Sequence, residues 1–298
     1  MRQRLRHARP IKLSRIVGEM FLKSLVNQFA VSDGLRVATN VKKLVGILSL
    51  VSLITFSWHS QATEKTPRLN GKPDFSGIWQ TTSAADYDLE PHSARIDAPP
   101  GPGVVAGGEI PYKPEALTKR KQNFDNRFKA DPRLKGWTLG VPRGIYYPEP
   151  FQIFQRARDL TLIHQFGHSV RTIHTNGTGH PQDPNDWWLG DSRGQWEGDT
   201  LVVDVKHFND ETWLDRSGNY HSDALHVIER WKFLDANTIE YTATIEDEKV
   251  FTRPWDISVI LHRHREKNFQ LVEDYRFTLD YDQYYPYPAE RAPKAQAK

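Results

Sequence analysis

The chain contains no cysteine among its 298 residues. Disulfide bonds, thiolate nucleophiles, iron–sulfur clusters and cysteine-bound zinc are therefore excluded, and any chemistry must use oxygen and nitrogen groups. The sequence also lacks a Walker phosphate loop, a G-x-G-x-x-G dinucleotide fingerprint and an H-E-x-x-H zinc motif. We therefore predict neither a cofactor nor a metal site.

Long apolar runs are scarce, and the mean hydropathy of −0.64 excludes a protein with several membrane spans. One uncharged run of fifteen residues, 44–58, follows Lys42 and Lys43 and precedes the small residues Ser60 and Ala62. This arrangement is typical of a secretory signal, so we predict cleavage after Ala62 and a periplasmic or secreted location. An uncleaved anchor is the alternative interpretation, because signals and anchors differ mainly in apolar length.

Positive charge is concentrated at the N-terminal end. Of the 40 Lys and Arg and the 37 Asp and Glu residues, ten and two lie in residues 1–62, which leaves 30 and 35 in residues 63–298. A net charge of −5 on the second part does not favour a nucleic-acid partner. We predict that residues 1–62 are an extension plus signal peptide. Residues 63–298 are predicted to form a single β-barrel-type domain without stable membrane insertion after cleavage.

From residue 150 onward, extended runs rich in β-branched and aromatic residues alternate with short polar turns. The turns fall at residues 156–159, 198–199, 235–237 and 266–268, and such spacing is typical of successive hairpins. It predicts an all-β fold, an antiparallel up-and-down barrel of about ten strands; a β-sandwich is the alternative. Gly77 and Trp79 resemble the Gly-x-Trp of lipocalin-like (calycin) barrels.

Two segments interrupt the strands. Residues 86–113 contain five prolines and four glycines, which favours a long loop able to act as a lid. Pro114 and Glu115 then open a predicted short helix that ends near Lys129, since proline and an acidic residue suit the first helical turn.

Three of the four candidate catalytic residues lie in the predicted strand 221–231, and the fourth, Glu273, lies in the predicted last strand. Strand alternation places His226 and Arg230 on one face and Glu229 on the other. In a barrel, either the His/Arg pair or the acidic face projects into the interior. We predict that His226 is the general acid or base and that Arg230 stabilises developing negative charge. Glu229 and Glu273 are predicted to be orienting carboxylates.

Aromatic and basic residues on other segments are candidates for substrate binding. Residues 187–199 combine three tryptophans with three glycines, which fits either hairpin packing or a rim of rings that stack on a sugar. The predicted substrate-binding residues are Trp196, Trp213, Tyr275, Arg171, His174 and Trp255.

The segment 190–204 reads Gly-Asp-Ser-Arg-Gly-Gln-Trp-Glu-Gly-Asp-Thr-Leu-Val-Val-Asp. It resembles the signature Gly-Asp-Ser-x-Gly-x-Trp-Glu-Gly-Asp-Thr-Leu-Val-Val-Asp of an uncharacterised family of exported bacterial proteins. The resemblance extends over about residues 73–277 and implies an exported, β-rich protein, but it implies no reaction. The family often has cysteines that this chain lacks.

Three functions fit these patterns. The first is cofactor-independent acid/base catalysis of the lyase, isomerase or hydrolase type, on a small organic molecule or oligosaccharide in the barrel cavity. The alternative is a non-catalytic periplasmic ligand-binding or carrier protein. The third is an envelope interaction protein that uses the proline-rich loop or the tyrosine-rich tail at residues 284–288.

Overall fold

The structure is a computed structural model that describes residues 64–182 and 186–273. Its strands are β1 (Arg68–Leu69), β2 (Lys72–Pro73), β3 (Gly77–Thr81), β4 (Phe151–Gln155), β5 (Asp159–His164), β6 (Val170–His174), β7 (Asp191–Glu197), β8 (Thr200–Lys206), β9 (His226–Asp235), β10 (Thr238–Glu246) and β11 (Trp255–Arg263). The helices are α1 (Pro114–Ala130) and the single turn α2 (Arg143–Tyr146), with 3₁₀ turns at Pro132–Lys135 and Phe166–His168. None of the helices in this described part has both the length and the apolar character needed to span a bilayer.

Nine of these strands close into a barrel in the order β10-β11-β3-β4-β5-β6-β7-β8-β9. The predicted all-β barrel is therefore confirmed, while β1 and β2 form a separate two-stranded sheet. Closure pairs each of the nine barrel strands with a neighbour on both sides.

The pairing of β6 with β7 departs from the predicted antiparallel meander because these two strands are parallel. A parallel neighbour requires the chain to cross back to the starting end of the sheet. In the sequence, residues 175–190 separate the two strands. The parallel ladder is short, with Ile173 opposite Ser192 and His174 opposite Arg193.

Three of the four predicted hairpins form as expected, namely β4/β5, β7/β8 and β9/β10. The β7/β8 turn contains Gly198 at φ +61°, a backbone conformation that glycine adopts without a steric cost. The fourth hairpin does not form as predicted. Residues 269–273 are not in a strand, and β11 pairs with β3 instead. The rest of the predicted last strand, including Tyr275, lies outside the described residues.

The barrel interior is filled by side chains. Every second residue of β10 is buried, as expected for a strand with one face on the core. Large rings occupy the centre, including Trp79, Phe151, Trp231 and Tyr241, each at most 2 % exposed. A ligand cavity must therefore lie in the barrel wall or at its ends.

A buried ion network joins the connecting segments at one end of the barrel. The Nε atom of Arg143 donates to Asp86 at 2.8 Å, and its two terminal nitrogens donate to Asp131 at 3.1 and 3.0 Å. All three side chains are almost completely buried. Arg216 also donates to Asp86, so the network links residues that are far apart in the sequence.

We expect Arg143→Met to destabilise the fold by about 3 kcal/mol, because it leaves two buried carboxylates without their main cation. Urea unfolding measures this loss. Arg156→Met is the matched control, since Arg156 forms an exposed pair with Asp159 and should change stability by less than about 1 kcal/mol. Equal stability of the two variants would contradict the structural role of Arg143.

Candidate functional site

A cleft of about 830 Å³ opens in the barrel wall where β6 and β7 diverge. Its rim carries the indole rings of Trp137, Trp187 and Trp188, and its base includes Arg171 and Ser192. An apolar cleft with a few convergent polar groups is the usual form of a small-molecule site.

The short parallel ladder explains why the wall opens at this position. β6 and β7 are paired at their last and first residues respectively, so the start of β6 has no ladder to β7. Gly190, at φ +64°, leads the crossover into β7, and a Cβ atom there would lie 2.8 Å from the ring of Phe208. The chain can therefore make this tight entry with glycine but not with a larger residue.

The tryptophan rim is built from two loops. The rings of Trp137 and Trp188 are edge to face, with centroids 4.9 Å apart, a favourable arrangement for an aromatic pair. The ammonium group of Lys135 lies 4.1 Å from the centroid of Trp137. This contact between the two loops holds the rings of Trp137 and Trp188 in position in the absence of a ligand.

Arg171 at the base of the cleft belongs to a buried polar cluster inside the barrel. Its Nε donates to Ser192 Oγ at 3.0 Å, and its terminal nitrogens donate to the two oxygens of Glu229 at 3.0 and 2.5 Å. The Tyr241 hydroxyl donates to the same carboxylate at 2.8 Å. Burial, followed by the negative charge of Glu229, raises the pKa of Tyr241 well above 10, so the phenol keeps its proton.

Beside this cluster lies His164, which is also buried. Burial and then the positive charge of Arg171 lower the pKa of His164 from 6.5 to about 4. His164 is thus a neutral imidazole at neutral pH.

Asp191 forms one side of the cleft. Its carboxylate accepts hydrogen bonds from Arg193 Nε at 2.6 Å, from Arg193 Nη2 at 2.7 Å and from His180 Nδ1 at 2.6 Å. Burial alone would raise the pKa of Asp191, but the hydrogen bonds from Arg193 and His180 outweigh it and lower the pKa. Asp191 is therefore an ionised carboxylate whose charge is compensated.

Ser192 lies in a string, residues 190–194, that fits the G-x-S-x-G pattern of serine hydrolases. In those enzymes the serine sits on a sharp turn between a strand and a helix, next to a histidine. Ser192 lies instead within β7, and its Oγ accepts from Arg171. None of the hydrogen bonds in the described ranges joins Ser192 Oγ to a histidine, so the local geometry is not that of a nucleophile.

The predicted catalytic residues of β9 do not converge on this cleft. His226 and Arg230 share one face as predicted, but it is the outer face of the barrel, whereas Glu229 points inward. The ring nitrogens of His226 contact Glu246 at 2.9 Å and Asp204 at 2.6 Å, and Arg230 pairs with Glu197. Of the two faces that the sequence left open, the one with Glu229 is therefore inside, and the His/Arg pair lies outside the barrel. A catalytic role for these residues stays a prediction.

The predicted binding residues divide into two groups. Arg171 and His174 line the cleft. Trp213 and Trp255 are buried in the core at 8 % and 2 % exposure, and Trp196 stacks on Phe75 with centroids 5.9 Å apart. These three tryptophans do not line the cleft because their rings contribute to barrel packing.

Two further predicted residues lie near the end of the described chain. Glu273 is exposed at the last described position, away from the cleft lining, and Tyr275 lies beyond it. The ring that sequence reasoning missed is Trp137, since it belongs to a loop with no periodic pattern. The sequence did indicate Trp187 and Trp188, because two adjacent tryptophans in a glycine-containing segment are compatible with a rim of rings that stack on a ligand.

Within residues 64–182 and 186–273, no group of three or more His, Asp or Glu side chains is arranged to hold a metal ion. No protein-family model matches the chain, and no curated protein or solved structure matches it. The resemblance of the segment 190–204 to an exported family therefore stays a prediction. The geometry of the cleft is the basis for a functional proposal.

The buried imidazole of His164 generates a prediction on acid stability. The unfolded chain takes up this proton near pH 6.5 and the folded protein near pH 4, so stability falls as the pH drops through that window. The pKa difference corresponds to about 3 kcal/mol. Urea unfolding at pH 7 and pH 4.5 should therefore show a smaller acid loss for His164→Gln than for the wild type.

His262→Gln, at an exposed position of β11, controls for the removal of one imidazole. It should keep the wild-type loss of stability. If His164→Gln and His262→Gln lose the same stability between the two pH values, His164 is not buried as a neutral group.

Proposed function

We propose that the protein is an exported binding or carrier protein that holds a small neutral carbohydrate in the tryptophan-rimmed cleft. The observation that carries this proposal is the meeting of Trp137, Trp187 and Trp188 around about 830 Å³ of open space. A cleft of that size accommodates a ligand of a few sugar rings.

The rim suits the apolar faces of sugar rings. An indole offers a large, rigid and flat contact surface, and its burial by a ligand yields free energy at a small cost in conformational entropy. The walls add the side chains of Ser169 and Thr172, whose hydroxyl groups can exchange hydrogen bonds with a polyhydroxylated ligand.

The charges around the cleft favour a neutral ligand. Arg171 is paired with Glu229, and Asp191 is paired with Arg193 and His180. A charged ligand that reached Arg171 or Asp191 would have to break one of these pairs, which leaves an uncompensated ion in a partly buried place. Hydroxyl groups can bind without that cost.

The number, protonation and position of the carboxyl groups near the cleft favour binding without catalysis. Glycoside hydrolysis usually needs two carboxyl groups on either side of the bond, one of them protonated. Among the described residues that line the cleft, Asp191 is the one carboxylate, and its pKa is lowered. Glu229 lies behind Arg171 with 0 % exposure, so a ligand in the cleft does not contact it.

Acid/base catalysis by His226 and Arg230 would take place elsewhere, on the outer face of β9. His226 is held there between Asp204 and Glu246. The tryptophan cleft does not include that face, so we place the ligand in the cleft and give priority to the carrier function.

We expect Trp188→Ala to weaken carbohydrate binding by about tenfold to a hundredfold, because one lost stacking face corresponds to about 1.5–3 kcal/mol. Titration calorimetry with a panel of neutral di- and trisaccharides measures the affinity. Phe154→Ala removes an exposed ring from β4 outside the cleft and should leave the affinity unchanged.

Three outcomes would contradict the proposal. The first is that no member of the panel binds, and the second is that both variants weaken binding equally. The third is conversion of a bound sugar to product during incubation, detected by chromatography, which would replace the carrier function with an enzymatic one.

A further inference from the structure

The chain has a local charge asymmetry that the cleft does not use. Residues 113–135 contain eight Lys and Arg and three Asp and Glu, a net charge of +5. Since residues 63–298 together carry −5, the remainder of that part carries −10. A strongly basic segment on an acidic protein suggests an anionic partner for that segment alone.

Most of this basic segment is α1, which packs on the rest of the protein with one side. Ala116 is buried, and Arg120 is anchored by Glu90 at 2.5 Å and by the Asn219 side chain at 2.9 Å. The cations Lys119, Lys121 and Lys129 are exposed. The ammonium group of Lys119 lies 4.5 Å from the centroid of the Tyr220 ring, and that of Lys121 pairs with the exposed Asp125 at 2.6 Å. The three lysines therefore lie on the outer surface of α1.

Large apolar side chains are exposed beside these cations. Leu117 is 47 % exposed and Phe128 is 59 % exposed. They are eleven residues apart, which is three helical turns, so they lie on the same side of α1 about 16 Å apart. Lys121 lies between them on the same side of the helix.

A third apolar side chain, Ile96, is 97 % exposed. Its neighbour Asp97 accepts from Arg127 Nε at 2.6 Å, and the Arg127 guanidinium lies 4.5 Å from the ring of Phe128. This contact holds the Ile96 turn against the end of α1. Ile96 and Phe128 are thus both exposed near the C-terminal end of α1, next to Lys129.

We propose that the face formed by Ile96, Leu117, Lys121, Phe128 and Lys129 docks on the surface of an anionic phospholipid bilayer. Lysines are attracted to anionic headgroups, and exposed Ile, Leu and Phe enter the interfacial layer. A soluble polyanion such as nucleic acid would neutralise the lysine charges but would leave the side chains of Ile96, Leu117 and Phe128 exposed to water. The contact is peripheral, because α1 is too polar to enter the bilayer core.

The absence of cysteine allows a local test on the full chain. Thr118→Cys places a single thiol on exposed α1, beside Leu117, for an environment-sensitive fluorophore. Gln195→Cys places the same label on an exposed position of β7 as a control. We expect a blue shift of the α1 label with phosphatidylglycerol vesicles, a much smaller shift with phosphatidylcholine vesicles, and none for the β7 label.

The double variant Ile96→Glu/Phe128→Glu should weaken the response to phosphatidylglycerol at least tenfold, while Phe154→Glu on β4 should not. Because the label reports on α1 itself, attachment of residues 1–62 to the vesicle does not imitate the signal. The proposal is wrong if the α1 label does not respond, if the neutral vesicles give the same response, or if the double variant has no effect. Equal binding of heparin by the wild type and the double variant, with no vesicle response, would indicate a soluble polyanion instead.

Discussion

The ion pair between Arg171 and Glu229 is the interaction on which the barrel and its cleft both depend. Neither charge could remain inside the barrel alone, because an isolated buried ion costs several kcal/mol. Here each guanidinium and carboxylate group has hydrogen-bond partners, including Ser192 and Tyr241. The cluster links side chains from β6, β7, β9 and β10. It lies beside the short parallel ladder between β6 and β7.

The cleft follows from that same discontinuity. Antiparallel neighbours in the barrel are joined over at least three residue pairs, whereas the parallel pair is joined over two. The gap in the wall is bordered by the loops that carry Trp137 and Trp188. The Arg171–Glu229 cluster at the base of the cleft and the tryptophan rings at its rim thus take the place of backbone pairing between β6 and β7.

Much of the fold could be predicted because hairpins are local. The turn at Gly198 and Asp199 and the turn at residues 235–237 contain the residues that tight turns require, and both hairpins form there. Pairing between distant segments leaves no such signal. The parallel β6/β7 contact and the contact of β3 with β11 depend on how the whole barrel closes. The fully antiparallel order and a strand at residues 269–273 were therefore not predicted correctly.

In the candidate site, too, local features could be predicted from the sequence and contacts between distant segments could not. Strand alternation correctly separated Glu229 from His226 and Arg230, but it could not tell which face is inside. That choice is made by Arg171, which comes from a strand more than fifty residues away and offers Glu229 a partner. Trp137 was unpredictable for another reason, since a ring in an aperiodic loop has no pattern that indicates its neighbours.

The filled interior has a consequence for how this protein can diversify. Its hydrophobic core and the tryptophan rings of the cleft lie on different parts of the chain, with the rings on loops outside the barrel. Exchanges in residues 136–138 and 187–188 would alter molecular recognition without opening voids among Trp79, Phe151 and Trp231. Related chains could therefore acquire new ligands by loop variation while keeping the same barrel core.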